Sequence, residues 1–270
     1  MTTSSPLFLL TNDDGADAPG MAALRRAAAP FGESIVAAPS SERSAGSHAV
    51  TLRRDIAVEQ RGPADAPWGW AIDGTPADCV KIALGHLLGG RRPTLILSGI
   101  NAGMNAGNSI FYSGTIAAAK EGIFWGVPSV ALSMHTFFSQ QPLWDTGTEV
   151  VRRLMPWILA HPFPPRTVLN INIPNLPFEQ LRGVRAGRQG TSLFVDDYHV
   201  VSRGAGRMTL RNIGEMLQKS PGPEDADDLV LLAGYVCITP LRMDLTDEDW
   251  RRGPGADLER RASSLGIGPA

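Results

Sequence analysis

Five short runs rich in apolar residues punctuate the first two thirds of the chain: Leu7–Thr11, Ser34–Ala38, Thr94–Ser98, Ser129–Ser133 and Val168–Ile173. The first, a continuous apolar run, suits a strand buried on both faces, as in a parallel sheet, and the others read as strands beside it. Helical periodicity fills the gaps between them. After Pro19, the residues Met21, Leu24, Ala28 and Phe31 recur at spacings of 3, 4 and 3. Thr75-Pro76-Ala77-Asp78 reads as a helix start, with Thr75 as N-cap and Pro76 in the first turn, and Val80, Leu84, Leu87 and Leu88 turn inward behind it. A further helix is expected over Thr115–Trp125, and Val150, Leu154 and Ile158 mark another. Strand and helix in alternation predict an α/β fold: a mostly parallel sheet with helices on both faces.

Beyond Pro177 the rhythm stops. One strand, Tyr235–Thr239, and a C-terminal helix from Asp247 to about Leu265 are expected there. The chain is therefore expected to form a single domain, with residues 1–180 as catalytic core and 181–270 as hairpins and an arm. The apolar runs Leu193-Phe194-Val195, Val200-Val201, Met216-Leu217 and Leu229–Ala233 need something to pack against. A second copy of the chain is the expected surface, so a homo-oligomer, a dimer at least, is anticipated.

Charge and composition narrow the partners. Lys+Arg is 25 against Asp+Glu 27, a net charge of −2. There is no overall basic field to hold a nucleic-acid polymer. The longest apolar run near the start, Leu7–Leu10, is far short of a membrane span or a signal-peptide core, so no membrane role and a cytoplasmic location are expected. Cys79 and Cys237 have no metal-type spacing and are expected to be small buried residues.

In a doubly wound sheet the ligand sits at the carboxyl ends of the strands, so the loops after strands are where chemistry is sought. After the first strand comes Asn12-Asp13-Asp14-Gly15. Two unit charges about 4 Å apart repel by about 4 kcal/mol at an effective dielectric near 20, and when partly buried they need a cation or a shared proton. After the second strand, Pro39–Ser47 offers hydroxyls and Arg43. After the third, Ser98-Gly99-Ile100-Asn101-Ala102-Gly103-Met104-Asn105 lacks both the P-loop ending and the dinucleotide glycine spacing. Tyr112-Ser113-Gly114-Thr115 then opens a helix, whose start favours anions and also allows capping by Ser113 or Thr115. The donors are all oxygen, which favours a hard ion such as Mg²⁺ or Mn²⁺, and such an ion beside an anion cradle points to a phosphate ester. The five histidines form no HExxH pattern, and no GxSxG elbow or Asp-x-Asp strand end occurs.

These segments together resemble the SurE family of 5′/3′-nucleotidases, also described as survival proteins. The resemblance rests on Asn12–Gly15, Ala18-Pro19-Gly20, Ala38-Pro39 with Arg43-Ser44, Gly74–Val80, Ser98–Gly103, Tyr112–Thr115 and, far downstream, Gly234–Leu241. It implies a Rossmann-like core and one divalent metal per subunit held by Asp13, Asp14, Ser44 and Asn101. It also implies phosphate or substrate contacts from Asn12, Asn105, Ser113, Gly114 and Thr115. The implied reaction is hydrolysis of nucleoside monophosphates by a metal-activated water, with breadth toward 3′-monophosphates and polyphosphate. Asp13 or Asp14 takes the water's proton; the residues alone leave that choice open. The implied assembly is a dimer or tetramer built through the C-terminal half. His48, the pair Arg211-Asn212 and the stretch Pro221–Asp228 depart from the family pattern.

Overall fold

The computed structural model describes residues 5–136, 140–161, 163–214, 216–261 and 265. A nine-stranded sheet runs through the molecule in the order β3-β4-β2-β1-β5-β6-β7-β13-β8. Its strands are β1 (Leu7–Thr11), β2 (Glu33–Pro39), β3 (Val58–Arg61), β4 (Gly69–Ile72), β5 (Leu95–Ala102), β6 (Ser129–His135), β7 (Thr167–Pro174), β8 (Val184–Ala186) and β13 (Val236–Arg242). From β4 to β7 all neighbours are parallel. The fold is thus Rossmann-like, as expected.

Helices cover both faces. Helix α1 (Pro19–Ala28) and α4 (Trp144–Ala160) pack on each other and on one face, where Phe8, Leu10, Met21, Leu24, Leu97, Leu132 and Met155 are buried. Helix α2 (Pro76–Ile82) and α3 (Gly114–Phe124) cover the other. Thr75 caps α2 as expected, in a reciprocal capping box with Asp78.

The sheet corrects the reading in three places. The hairpin β3–β4 was not anticipated, because Val58-Glu59-Gln60-Arg61 is mostly exposed and has no apolar alternation. The strand expected over Thr94–Ser98 runs on to Ala102, so Gly99 and Asn101 lie in β5 and not in a loop. The C-terminal segment also extends the core sheet: β13 pairs antiparallel with β7, and β8 pairs with β13.

Four further strands form two separate hairpins or pairs: β9 (Leu193–Val195) with β12 (Met216–Gln218), and β10 (Tyr198–Gly204) with β11 (Arg207–Asn212). Phe194 and Leu217 fold back onto Met104, Ala106 and Leu231 of the same chain, the last from helix α5 (Asp227–Leu232). By contrast every residue of β10 and β11 is exposed, including Val200, Val201, Met208 and Leu210. Helical turns at Glu248–Trp250 and Ala256–Arg261 lie within the expected C-terminal helix, of which residues 262–264 are outside the described part. Among the described residues no helix is long and apolar enough to cross a membrane.

Candidate active site

From β1 the chain proceeds to β2 on one side, while β5 lies on the other. The carboxyl ends of β1 and β5 therefore flank the point where strand order reverses, where such sheets bind ligands. A cleft of about 1110 Å³ opens there, lined among others by Asp13, Asp14, Glu42, Ser44, Asn101, Asn105, Ser113 and Asp196. Three loops from separate parts of the chain meet in it because their strands are neighbours.

The loop after β1 is locked by Asn12. Its Nδ2 donates to the Gly15 carbonyl at 2.8 Å and its Oδ1 accepts from the Gly15 N–H at 3.1 Å. Gly15 holds φ at +114°, a conformation that side-chain-bearing residues rarely adopt. Asn12 is fully buried and shapes the loop through both atoms of its side-chain amide. The Asp13 carbonyl accepts from the Arg43 N–H at 2.7 Å, which pins the β2 loop, and with it Glu42 and Ser44, beside the carboxylates.

Asp13 is only 4% exposed. Its Oδ1 accepts from the Thr115 hydroxyl at 2.5 Å. Burial raises its pKa, opposed by the Thr115 hydroxyl and by backbone N–H groups including those of Thr115 and Gly114. Asp13 thus stands against the N-terminus of α3, where the helix dipole favours negative charge. Ser113 caps that helix by accepting from the Ile116 N–H at 3.0 Å. The Gly114 and Thr115 N–H groups and the Thr115 hydroxyl face Asp13. Gly114 has a steric duty as well: a Cβ there would lie 2.7 Å from the Asp13 Cβ and 2.8 Å from its Oδ2.

Asp14 is less buried and less well satisfied. Its Oδ2 receives one long hydrogen bond, from the Ala102 N–H at 3.4 Å. Burial first, then the charge of Asp13, push its pKa up to about 6, with Glu42 adding to the effect and the Ala102 N–H opposing it. On the other flank, a register shift between β5 and β6 falls between Ser98 and Asn101 and re-aims the strand end. The Asn101 Nδ2 donates to the Gly103 carbonyl at 2.7 Å, which leaves its Oδ1 to serve as a ligand. Ser44 donates its hydroxyl to Glu42 at 2.6 Å and keeps its oxygen lone pairs.

Asn105 is held from beneath by polar side chains that the sequence reading passed over. Its Nδ2 donates to the Ser133 hydroxyl at 2.9 Å, and its N–H to Asn172 Oδ1 at 2.8 Å. Its carbonyl accepts from Asn170 Nδ2 and Asn172 Nδ2 at 2.7 and 3.0 Å. The available signal was two asparagines spaced by two in an otherwise apolar buried strand, which puts both on one face. Glu42 was also missed, since a lone glutamate in a serine-rich loop looks like a solvated turn.

The cleft's charge balance is lopsided. Among the described residues its lining has four carboxylates, Asp13, Asp14, Glu42 and Asp196, and no lysine, arginine or histidine. The family model described as "Survival protein SurE" matches residues 8–196. The chain belongs to the SurE family. A protein named 5′-nucleotidase SurE from Carboxydothermus hydrogenoformans is 40% identical over 243 residues, covering 89% of this chain and 91% of its own. One of the same name from Heliobacterium modesticaldum is 36% identical over 265 residues, covering 94% and 96%. The crystal structure of the SurE protein from Aquifex aeolicus superposes with a TM-score of 0.79 at 34% identity, over 92% of this chain and 97% of that one. Of the departing residues named above, Asn212 donates to the cleft's Asp196 Oδ1 at 2.6 Å, and others lie outside the lining. His48, for example, sits 3.0 Å from Glu121 and stacks on Phe124 behind α3.

Proposed function

We propose that this SurE protein hydrolyses nucleoside 5′-monophosphates to nucleoside and phosphate, using one divalent cation, Mg²⁺ or Mn²⁺, per subunit. Membership of the family makes it a hydrolase of the 5′-nucleotidase kind. The observation that supports the cation is the charge of the cleft. A phosphate monoester is an anion, yet among the described residues the lining carries four carboxylates and no basic side chain. Such a ligand enters only if a cation first reverses the local field.

The residues fit a hard ion. Two partly buried carboxylates lie beside an amide oxygen and a hydroxyl, with no soft donor among them. The ligands would be Asp13, Asp14, Asn101 through Oδ1 and Ser44 through its hydroxyl. When bound, the ion polarises a phosphoryl oxygen and acidifies a water.

The rest falls to the chain's own groups. Thr115 and the start of α3 hold the Asp13 carboxyl in place. Asp14 keeps Oδ1 free of any hydrogen bond among the described residues, so it is the better placed to take the water's proton. Asn105 and Ser113 line the cleft as neutral groups and orient the phosphate, their positions set by the Asn170–Asn172–Ser133 network and by the helix cap. Orientation of this kind is most of what a phosphoryl-transfer site has to provide.

The test is phosphate release from a panel of 5′- and 3′-nucleoside monophosphates and polyphosphate, with Mg²⁺, Mn²⁺ or excess EDTA. Release with either ion and none in EDTA is expected. Full turnover in EDTA, with metal absence confirmed by elemental analysis, refutes the cation mechanism. Nucleotide binding without release makes the protein a binding module.

A homo-oligomer is part of the same proposal. The β10–β11 hairpin leaves Tyr198, Val200, Val201, Met208 and Leu210 exposed among the described residues. A lone two-stranded hairpin is marginal in water, so a second subunit is its natural support.

A further inference from the structure

Two buried aspartates that are not part of the cleft join its two halves. Asp227 and Asp228 open α5 and are both fully buried. Asp227 accepts from the Gly107 N–H at 3.0 and 3.1 Å through its two oxygens, and from the Gly190 N–H at 2.9 Å. Asp228 accepts from the Ser220 hydroxyl at 2.6 Å and the Ser220 N–H at 2.9 Å. The Ser220 oxygen in turn accepts from the Thr191 and Ser192 N–H groups at 2.7 and 2.9 Å. Finally, the Asn108 N–H donates to the Ser192 carbonyl at 2.8 Å.

The network thus ties three distant pieces of chain together: 105–108, 189–192 and 220–228. Two of them lead straight into the cleft. Asn105 lies two residues before Gly107, and Leu193, Phe194 and Asp196 follow Ser192 and form the wall facing the carboxylate edge.

Two glycines show that the close approach is built in. A Cβ on Gly107 would lie 2.3 Å from the Ser192 hydroxyl and 2.6 Å from its carbonyl oxygen. A Cβ on Gly190 would lie 2.3 Å from the Ser220 hydroxyl and 2.6 Å from Asp228 Oδ1. Side chains at either place would push the two segments apart.

The wall has the chemistry of the substrate's organic half. Leu193 and Phe194 line the cleft together with Phe111 and Tyr112, apolar surface that suits a flat base. Asp196 adds an acceptor for a sugar hydroxyl or an exocyclic amine. The metal-side residues Asp13, Asp14, Ser44 and Asn101 belong to other segments and make none of the network's hydrogen bonds.

Resting on the functional reading above, we propose that the Asp227–Asp228–Ser220 network is a positioning element for specificity. It holds the Leu193–Asp196 wall at the distance a nucleoside requires from the phosphate end. Loosening it impairs substrates with a nucleoside and spares small phosphate esters, because only the former reach the wall.

The test uses the full-length protein carrying Ser220→Ala or, separately, Asp228→Asn. Steady-state constants are measured for a nucleoside 5′-monophosphate and for phenyl phosphate, with Mn²⁺ affinity measured by calorimetry. The nucleotide KM is expected to rise on the order of tenfold, the discrimination that a few misplaced contacts supply. The phenyl phosphate constants and the Mn²⁺ affinity are expected to stay within about twofold, below any such loss. An equal loss on both substrates makes the network a general scaffold and overturns the proposal. So does an unchanged ratio of the two in both variants. A wild-type protein that releases phosphate from neither ester refutes the functional reading itself, and this inference with it.

Discussion

Gly114→Ala tests how closely the position of Asp13 depends on the start of α3. Gly114 is the first residue of that helix and is not among the glycines with positive φ, so alanine suits the backbone there. The cost is steric. The new methyl would sit 2.7 Å from the Asp13 Cβ, 2.8 Å from Asp13 Oδ2 and 3.0 Å from the Pro76 Cγ. Carbon atoms rest about 3.5–4.0 Å apart, so Asp13 or the helix must yield by about 1 Å. Overpacking of this kind costs about 1–3 kcal/mol. Replacing glycine by alanine returns about 0.4–1 kcal/mol through the unfolded chain. The net loss is then about 1–2 kcal/mol, a fall in Tm of a few degrees at about 2–4 °C per kcal/mol for a domain near this size. Activity should suffer far more, since a 1 Å misplacement of a reacting group costs about 10²-fold. The assay is phosphate release under Mn²⁺ saturation, paired with Mn²⁺ affinity by calorimetry and a thermal melt. We expect kcat/KM to fall by about 10–10²-fold and Mn²⁺ to bind more weakly, with the protein still folded. If kcat/KM and Mn²⁺ affinity both stay within about twofold of wild type, the steric argument is wrong, because an effect of 10²-fold is what misplacement predicts.

Asp13→Asn or Asp14→Asn is expected to lower kcat by at least about 10²-fold while the melt shows an intact fold; near-normal turnover in both would place the site elsewhere. Thr115→Val removes the hydroxyl bound to Asp13 at 2.5 Å and should lower kcat about tenfold, the equivalent of about 1.4 kcal/mol, and unaltered kcat would show that this donor is idle. Light scattering should give a mass of at least two subunits of 28.9 kDa, and a monomer mass across micromolar concentrations would contradict assembly through the hairpin.

The sequence by itself determined the core. The runs Leu7–Thr11, Ser34–Ala38, Ser129–Ser133 and Val168–Ile173 all lie in strands of the parallel core, since a segment buried on both faces must be largely apolar and that pattern is local. That Asp13, Asp14 and Asn101 meet in one cleft was legible for a related reason: the ends of apolar strands in an α/β rhythm are brought to one edge by the topology alone.

The exposed and marginal elements were not legible. The strand β3 buries little, so no hydrophobic period marks it, and for the same reason the expected C-terminal hairpins could not be given the bounds that β10 and β11 have. Pairing of β13 with β7, and of β8 with β13, depends on which edge the chain returns to, a choice made between distant segments.

Tertiary structure also decided the role of each polar atom. The residue types of Asn12, Gly114 and Thr115 do not reveal their partners within the chain; the fold sets Asn12 against Gly15 and the others against Asp13. A hydrogen bond goes to whichever partner lies within about 3 Å, and for Thr115 and Asp13, 102 residues apart in sequence, only the packed sheet and helix bring them that close.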